Sequence, residues 1–89
     1  MFRVDVSELE APEPLLRTLA ACADLAAGEF VLMLHRMRPC LLYDRLAERG
    51  LVSLTAAPGL EAEVEVYIWR LGDRDAERSA RVLAAERRP

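Results

Sequence analysis

The first residues of the chain alternate between apolar and polar side chains, and this pattern predicts a strand from Phe2 to Val6. From Pro12 onward, apolar residues recur three and four positions apart, which predicts an amphipathic helix with its C-terminal cap region at Gly28. The segment from Glu29 to His35 is then almost continuously apolar, as is typical of a central strand covered on both faces. This part of the chain therefore predicts a β-α-β unit.

The following residues predict a second helix and two more strands. Proline suits the first turn of a helix and glycine its end, so the second helix is expected between Pro39 and Gly50. Strands are expected from Leu51 to Ala57 and from Glu61 to Leu71. The dipeptide Pro58-Gly59 between them is typical of a turn, with the glycine at positive φ, so these strands should form an antiparallel hairpin.

The last predicted element is a helix from about Arg74 to Arg87, capped by Asp73 and supported by an ion pair between Glu77 and Arg81. A right-handed crossover should make the first two strands parallel and place both main helices on one face. We therefore predict an α+β two-layer sandwich with a mixed four-stranded sheet over residues 1–71, followed by a C-terminal helical extension over residues 72–89.

Composition narrows the class of function. A chain of 89 residues makes one domain, and its net charge of −3 disfavours nucleic-acid binding, which depends on neutralising phosphates. All basic residues are arginines, so a Schiff-base lysine and a P-loop lysine are excluded. No apolar run approaches the roughly 20 residues of a membrane span. The isolated Cys22 and Cys40 indicate a reduced, cytoplasmic protein, and no cofactor is expected.

The predicted topology gathers one set of residues at one edge of the sheet. The carboxyl ends of the first two strands and the N-termini of both main helices should meet there, where open α/β sheets commonly bind ligands. Helix N-termini present unpaired N–H groups and a partial positive charge, which suit an anion. The ligand-binding residues expected at this edge are Ala11, Pro12, His35, Arg36, Arg38, Pro39 and Cys40.

Two segments near this edge carry a family resemblance. The octapeptide from Leu9 to Leu16 (LEAPEPLL) resembles the Cys-Pro-x-Pro-Leu opening of the TusA/SirA sulfur-carrier family, in which the cysteine carries a persulfide. Ala11 stands in that cysteine's place, and a methyl group cannot hold a persulfide. The segment from His35 to Gly50 is similar to a cysteine-less relative, domain of unknown function 2249, although Leu41 stands where that family often has a proline. The resemblance covers Val4 to about Arg70 and implies a TusA-like sandwich, but no activity.

The leading hypothesis is a non-enzymatic module that holds a small anion or a protein partner at this edge. One alternative is sulfur relay through Cys40, because a helix N-terminus and nearby Arg36 and Arg38 stabilise a thiolate. Another is metal or haem sensing through His35, with Cys40 and a glutamate of the first connection, Glu10 or Glu13, as further ligands.

A separate prediction concerns the sheet face opposite the two main helices. Four residues are expected there: Val31, Met33, Tyr67 and Trp69. A bare apolar face of this kind is unusual on a monomer. We therefore expect it to be covered by the C-terminal helix or by a second copy of the chain in a homodimer.

Overall fold

The computed structural model describes residues 1–87 and shows an α+β fold with a mixed four-stranded sheet, as predicted. In chain order the elements are β1 (Phe2–Asp5), α1 (Glu13–Ala23), β2 (Val31–His35), α2 (Cys40–Glu48), β3 (Leu51–Ala56), β4 (Val64–Arg70) and α3 (Arg74–Glu86). The sheet order is β1-β2-β4-β3. β1 pairs with β2 in parallel, whereas β4 is antiparallel to both of its neighbours.

β2 is central because its side chains are apolar on both faces of the sheet. All five of its residues are buried, and it lies between β1 and β4. The register pairs Val31 with Ile68 and Leu32 with Tyr67. Since side chains alternate along a strand, one of these pairs points to each face and both faces need a cover.

Helices α1 and α2 cover the first face and enclose the larger core. Each buried leucine or valine there contributes about 1.5–3 kcal/mol of transfer free energy. The buried members of this core are Val6, Ala21, Cys22, Leu25, Val31, Met33, Leu42, Leu46, Leu51, Val64, Val66 and Ile68. The core fixes where both helices begin, at the carboxyl ends of β1 and β2.

The prediction that Val31 and Met33 share a face with Tyr67 and Trp69 is wrong. Val31 and Met33 pack in the core beneath α1 and α2, because the register places them opposite residues of β4 that face the same helices. A strand that is apolar at every position does not reveal which of its two faces meets which layer. On the other face, Tyr67 and Trp69 pack instead with Phe30, Leu32 and Leu34.

Helix α3 covers that second face within the same chain and adds a third layer. Ala76 and Ala80 are fully buried against the sheet, and their small side chains let the helix approach closely. Asp73 caps the helix as predicted, accepting a hydrogen bond from the Ala76 amide (3.1 Å) through one carboxylate oxygen. Its other oxygen accepts from the Gly28 amide (2.8 Å), which fastens the start of α3 to the loop before β2.

The far end of α3 is held by a buried ion pair. The Arg87 guanidinium donates to the carboxylate of Glu65 on β4 (2.9 Å), and that side chain is 1% exposed. Burial by itself raises the pKa of Glu65, but the Glu61 amide and the Arg87 charge outweigh it and hold the pKa below its ordinary value. The alternation along β4 predicts that Glu65 points away from α1 and α2 toward solvent. It is buried because α3 covers that face of the sheet.

Local boundaries differ from the predictions at two glycines. α1 ends at Ala23, and Gly28 lies beyond it in a loop with φ of 83°. Gly59 does not adopt positive φ, but a Cβ there would collide with the Glu65 side chain and the Ala62 carbonyl oxygen. Gly59 is therefore required by close packing around the buried carboxylate.

None of the helices within residues 1–87 has the length and apolar character needed to cross a membrane.

Candidate functional site

The β1–α1 and β2–α2 connections meet at one edge of the sheet and enclose a pocket of about 490 Å³, here called the rim pocket. All the residues predicted for this edge line it: Ala11, Pro12, His35, Arg36, Arg38, Pro39 and Cys40. The rest of the lining comes from Leu9, Glu10, Pro14, Leu15, Met37, Leu41 and Leu42. The parallel pairing of β1 and β2 causes this convergence, because it brings the carboxyl ends of both strands to the same edge.

Arg36 joins the two connections. Its guanidinium donates to the Ser7 carbonyl oxygen (2.7 Å) and to the Glu10 carboxylate (3.2 Å), both on the β1–α1 side. The pair with Glu10 is exposed and adds little stability by itself. Much of the donor capacity of Arg36 is thus used within the protein, so its main contribution is to hold the pocket walls in place.

His35 is the buried polar group of the rim pocket. Its side chain is 4% exposed, and its Nδ1 accepts a hydrogen bond from the Arg36 amide (2.8 Å). A neutral imidazole that accepts at Nδ1 carries its proton on Nε2. Burial, followed by the nearby Arg36 charge, holds the pKa of His35 below its ordinary value, which favours this neutral form.

The Nε2–H group of His35 has no hydrogen-bond partner among residues 1–87. It is also not one of the fully enclosed unpaired atoms of the described chain, so it keeps some accessible surface, and His35 lines the pocket. Because water can reach this group, an acceptor bound in the pocket would replace a hydrogen bond to water, a net gain of about 0.5–1.5 kcal/mol. His35 therefore presents a hydrogen-bond donor to any molecule bound there.

Arg38 supplies the uncompensated charge. Its side chain is exposed, and it forms no ion pair within the described part of the chain. The other charged groups of the pocket, Arg36 and Glu10, compensate each other. Because an arginine is always protonated, the rim pocket carries a net positive charge.

Both helices begin at the pocket without a side-chain cap. Pro12 and Pro39 occupy the N-cap positions, and neither can supply the side-chain oxygen that usually accepts from the first amides. As a result, the amides of Leu15 and Leu41 have no hydrogen-bond partner among the described residues. The two helix ends thus add donors and partial positive charge to the same pocket.

The two cysteines differ in accessibility. Cys40 is exposed at the first position of α2 and lines the rim pocket. Cys22 is buried in the core, and burial raises its pKa to about 11. Chemistry at a thiol of this protein is therefore restricted to Cys40.

The geometry does not assemble the three or more ligands that a metal site normally needs. Within residues 1–87, no three His, Cys, Asp or Glu side chains are grouped so as to hold a metal ion. Glu10, one of the ligands considered above, instead contacts Arg36. The arrangement leaves His35 as a hydrogen-bonding group.

The leucines that line the pocket are not among the binding residues predicted from the sequence. Leu9, Leu15 and Leu42 line it together with Met37. Leu41 is 77% exposed at the mouth of the pocket, where solvent contact for a leucine is unfavourable. An apolar residue on the polar side of a helix start is the signal that could have identified it.

Comparison with known families gives one match. The model of the uncharacterized conserved protein family DUF2249 matches residues 3–70, which run from β1 to the last residue of β4. Neither a curated protein nor a solved structure gives a significant match. The likeness to the TusA/SirA fold therefore stays a prediction, and α3 lies outside the matched residues.

Proposed function

The chain belongs to the DUF2249 family, and we propose that it is a non-enzymatic module that holds a small anion in the rim pocket. The observation that carries this proposal is the state of His35: buried, neutral by its surroundings, and with Nε2–H unpaired in a pocket. The oxygen atoms of an anion such as a carboxylate accept hydrogen bonds, so they complement this group.

The groups around His35 support the same ligand chemistry. Leu15 and Leu41, whose amides are unpaired, line the pocket at two helix N-termini, whose dipoles favour negative charge. Arg38 adds a full positive charge that no residue of the described chain compensates. The one carboxylate at the rim of the pocket is paired with Arg36, so it does not offset the charge of Arg38.

Isothermal titration calorimetry with sodium acetate, at constant ionic strength and neutral pH, tests this proposal. We expect saturable binding that weakens at least about fivefold in His35→Phe, which keeps an aromatic ring but removes the Nε2–H donor. Arg38→Gln should weaken it by a similar factor. Arg78→Gln is the matched control, because Arg78 is an exposed arginine on α3 far from the pocket; its affinity should equal that of the wild type.

Circular dichroism separates a folding defect in His35→Phe from a binding defect. The proposal fails if folded His35→Phe and Arg38→Gln bind acetate as the wild type does. It also fails if the wild type shows no saturable binding of acetate or phosphate.

A second candidate is sulfur relay, and the accessibility of Cys40 favours it. The Cys40 thiolate would attack the outer sulfur of a persulfide on a donor protein. One sulfur–sulfur bond forms on Cys40 as the donor's bond breaks, and the donor cysteine leaves as a thiolate that takes up a proton from solvent. The Cys40 proton is lost to solvent before the attack.

Mass spectrometry distinguishes this candidate from anion binding. The protein is incubated with a cysteine desulfurase and free cysteine, and an adduct of one sulfur atom is expected on Cys40 and absent in Cys40→Ser. The buried Cys22 serves as the internal control, since its thiol is shielded. If Cys40 gains no sulfur under these conditions, sulfur relay is excluded and anion binding is unaffected.

A further inference from the structure

We propose that the anion held in the rim pocket is a monocarboxylate with an apolar body, such as a short fatty acid. This inference rests on the proposed function and adds the class of ligand. It is carried by two features of the pocket that a compact inorganic anion would leave unused: its apolar walls and its charge balance.

The walls of the pocket are largely hydrocarbon. Leu9, Leu15 and Leu42 line the interior, where they also contact or belong to the core beneath α1 and α2. Met37 and Leu41 stand at the mouth, 56% and 77% exposed. Both would lose contact with water if an apolar chain lay against them, and burial of apolar surface is favourable. The volume of about 490 Å³ lies within the range of small-molecule sites, roughly 300–1,000 Å³.

The charge balance fits a single negative charge. Arg36 and Glu10 form an ion pair, and His35 is neutral, so Arg38 is the one full side-chain charge of the lining left to be matched. A dianion such as sulfate would bring a second negative charge that no side chain of the lining matches. A carboxylate satisfies Arg38 and can accept from His35 Nε2–H with its second oxygen.

The polar residues and the apolar residues that line the rim pocket are close together in the chain. His35 ends β2, Arg38 follows it in the connection, and Leu41 and Leu42 lie in the first turn of α2. A ligand whose charge meets the first two therefore extends past the leucines. Such a pocket selects an amphipathic acid over a small, fully hydrated anion.

A ligand series tests this inference by calorimetry: acetate, butyrate, hexanoate, phosphate and 1-hexanol. Each methylene that becomes buried should tighten binding about fourfold. We expect hexanoate to bind at least about twentyfold more tightly than acetate, and more tightly than phosphate. The uncharged 1-hexanol should bind at least about tenfold more weakly than hexanoate.

A pair of leucine variants localises the apolar contribution. Leu41→Ser should weaken hexanoate at least about fivefold, and should weaken it more than acetate, because only the longer chain lies against the Leu41 side chain. Leu71→Ser is the matched control, since Leu71 is 72% exposed on the β4–α3 connection and does not line the pocket. Both positions are exposed, so neither change should unfold the protein.

The outcomes separate this inference from the function on which it rests. If acetate or phosphate binds as tightly as hexanoate, the pocket holds anions but has no preference for an apolar body, and the inference is overturned alone. If 1-hexanol binds as tightly as hexanoate, the carboxylate contributes nothing to the binding of this ligand and the inference is overturned, whereas the acetate titrations decide the proposed function separately. Equal losses in Leu41→Ser and Leu71→Ser would also overturn the inference.

Discussion

His35 occupies a position where burial and a single backbone contact determine its chemistry. The Arg36 amide donates to Nδ1, which fixes the tautomer, and burial opposes protonation of the ring. Protonation would replace the acceptor at Nδ1 with a second donor and break this contact. The same two effects that leave Nε2–H available for a ligand therefore make the folded state sensitive to acid.

The stability of the protein should depend on His35 in mildly acidic solution. The pKa of His35 is lowered in the folded protein. In the unfolded chain its pKa is about 6.5, so the unfolded chain binds a proton at a pH where the folded chain does not. The free energy of unfolding therefore has its full value above about pH 6.5, and it falls as the pH drops from there toward the pKa of His35 in the folded protein. Urea denaturation between about pH 7.5 and about pH 5 measures this fall. It should be smaller in His35→Phe, and an equal fall in both proteins would contradict the prediction.

The ion pair between Glu65 and Arg87 should be worth more than any surface pair of this chain. Glu65 is 1% exposed and Arg87 15%, so removing the arginine leaves a carboxylate buried without its charge partner. We expect Arg87→Met to lower the free energy of unfolding by about 2 kcal/mol, less than for a fully buried pair because Arg87 retains some solvent contact. Arg78→Met, at an exposed pair, should change it by less than about 0.5 kcal/mol.

Acid should weaken the same contact. The folded pKa of Glu65 is below its ordinary value, so its contribution to stability is present above the unfolded pKa of about 4.3 and is lost as the pH falls through the folded value. Denaturation curves of the wild type and Arg87→Met should converge at low pH. A constant difference down to about pH 3 would show that the charge of Glu65 is not involved.

At the scale of the elements, α3 is the part that the sequence describes least completely. Its cap at Asp73 and its ion pair between Glu77 and Arg81 (2.8 Å) are both confirmed, since each depends on residues close together in the chain. Its thin alanine stripe gives little indication of what it covers. The docking depends on contacts with β4 and on Glu65, which are distant in sequence or hidden in an alternating strand.

A charge in the interface of α3 should detach the helix from the sheet. Ala80→Asp buries a carboxylate with no partner, and we expect a loss of about 3 kcal/mol in the free energy of unfolding. Trp69 is the only tryptophan and packs in this interface, with Arg81 above its ring at 5.5 Å. Its fluorescence should therefore shift to longer wavelength as the helix leaves.

The matched control for this change is Ala85→Asp, at an exposed position of the same helix. Its stability should fall by about 1 kcal/mol or less, which is the cost of an aspartate in the last turn of a helix, and its fluorescence should stay that of the wild type. Equal effects of the two aspartates would mean that α3 does not depend on the buried alanines for docking.

For the whole molecule, the order of elements was predictable because each has a local signature in the chain. The convergence of Pro12 and Pro39 followed from the parallel crossover, which is almost always of one hand. The sequence did not show which residues of β2 face α1 and α2 and which face α3, because all but the last of its residues are apolar. The apolar pocket walls escaped detection for a related reason: Leu15 and Leu42 serve the core and the pocket together.

The two connections of the rim pocket should act as one unit through Arg36. Arg36→Lys retains the positive charge but cannot donate in a fixed fork to both the Ser7 carbonyl and Glu10. We expect acetate affinity to fall about threefold to fivefold with little change in stability, because the surface pair itself is weak. Calorimetry and urea denaturation of the same sample check both parts, and unchanged affinity would contradict the bridging role.

The decisive measurement is an NMR titration of isotope-labelled protein with hexanoate, observed at the His35 Nε2–H group and at the amides of Leu15 and Leu41. These three groups belong to β2, α1 and α2, and they meet only at the rim pocket. We predict that all three signals shift to saturation with the same dissociation constant. Signals that do not shift, or dissociation constants that differ between the β1–α1 and β2–α2 connections, would contradict a single anion site formed by both connections.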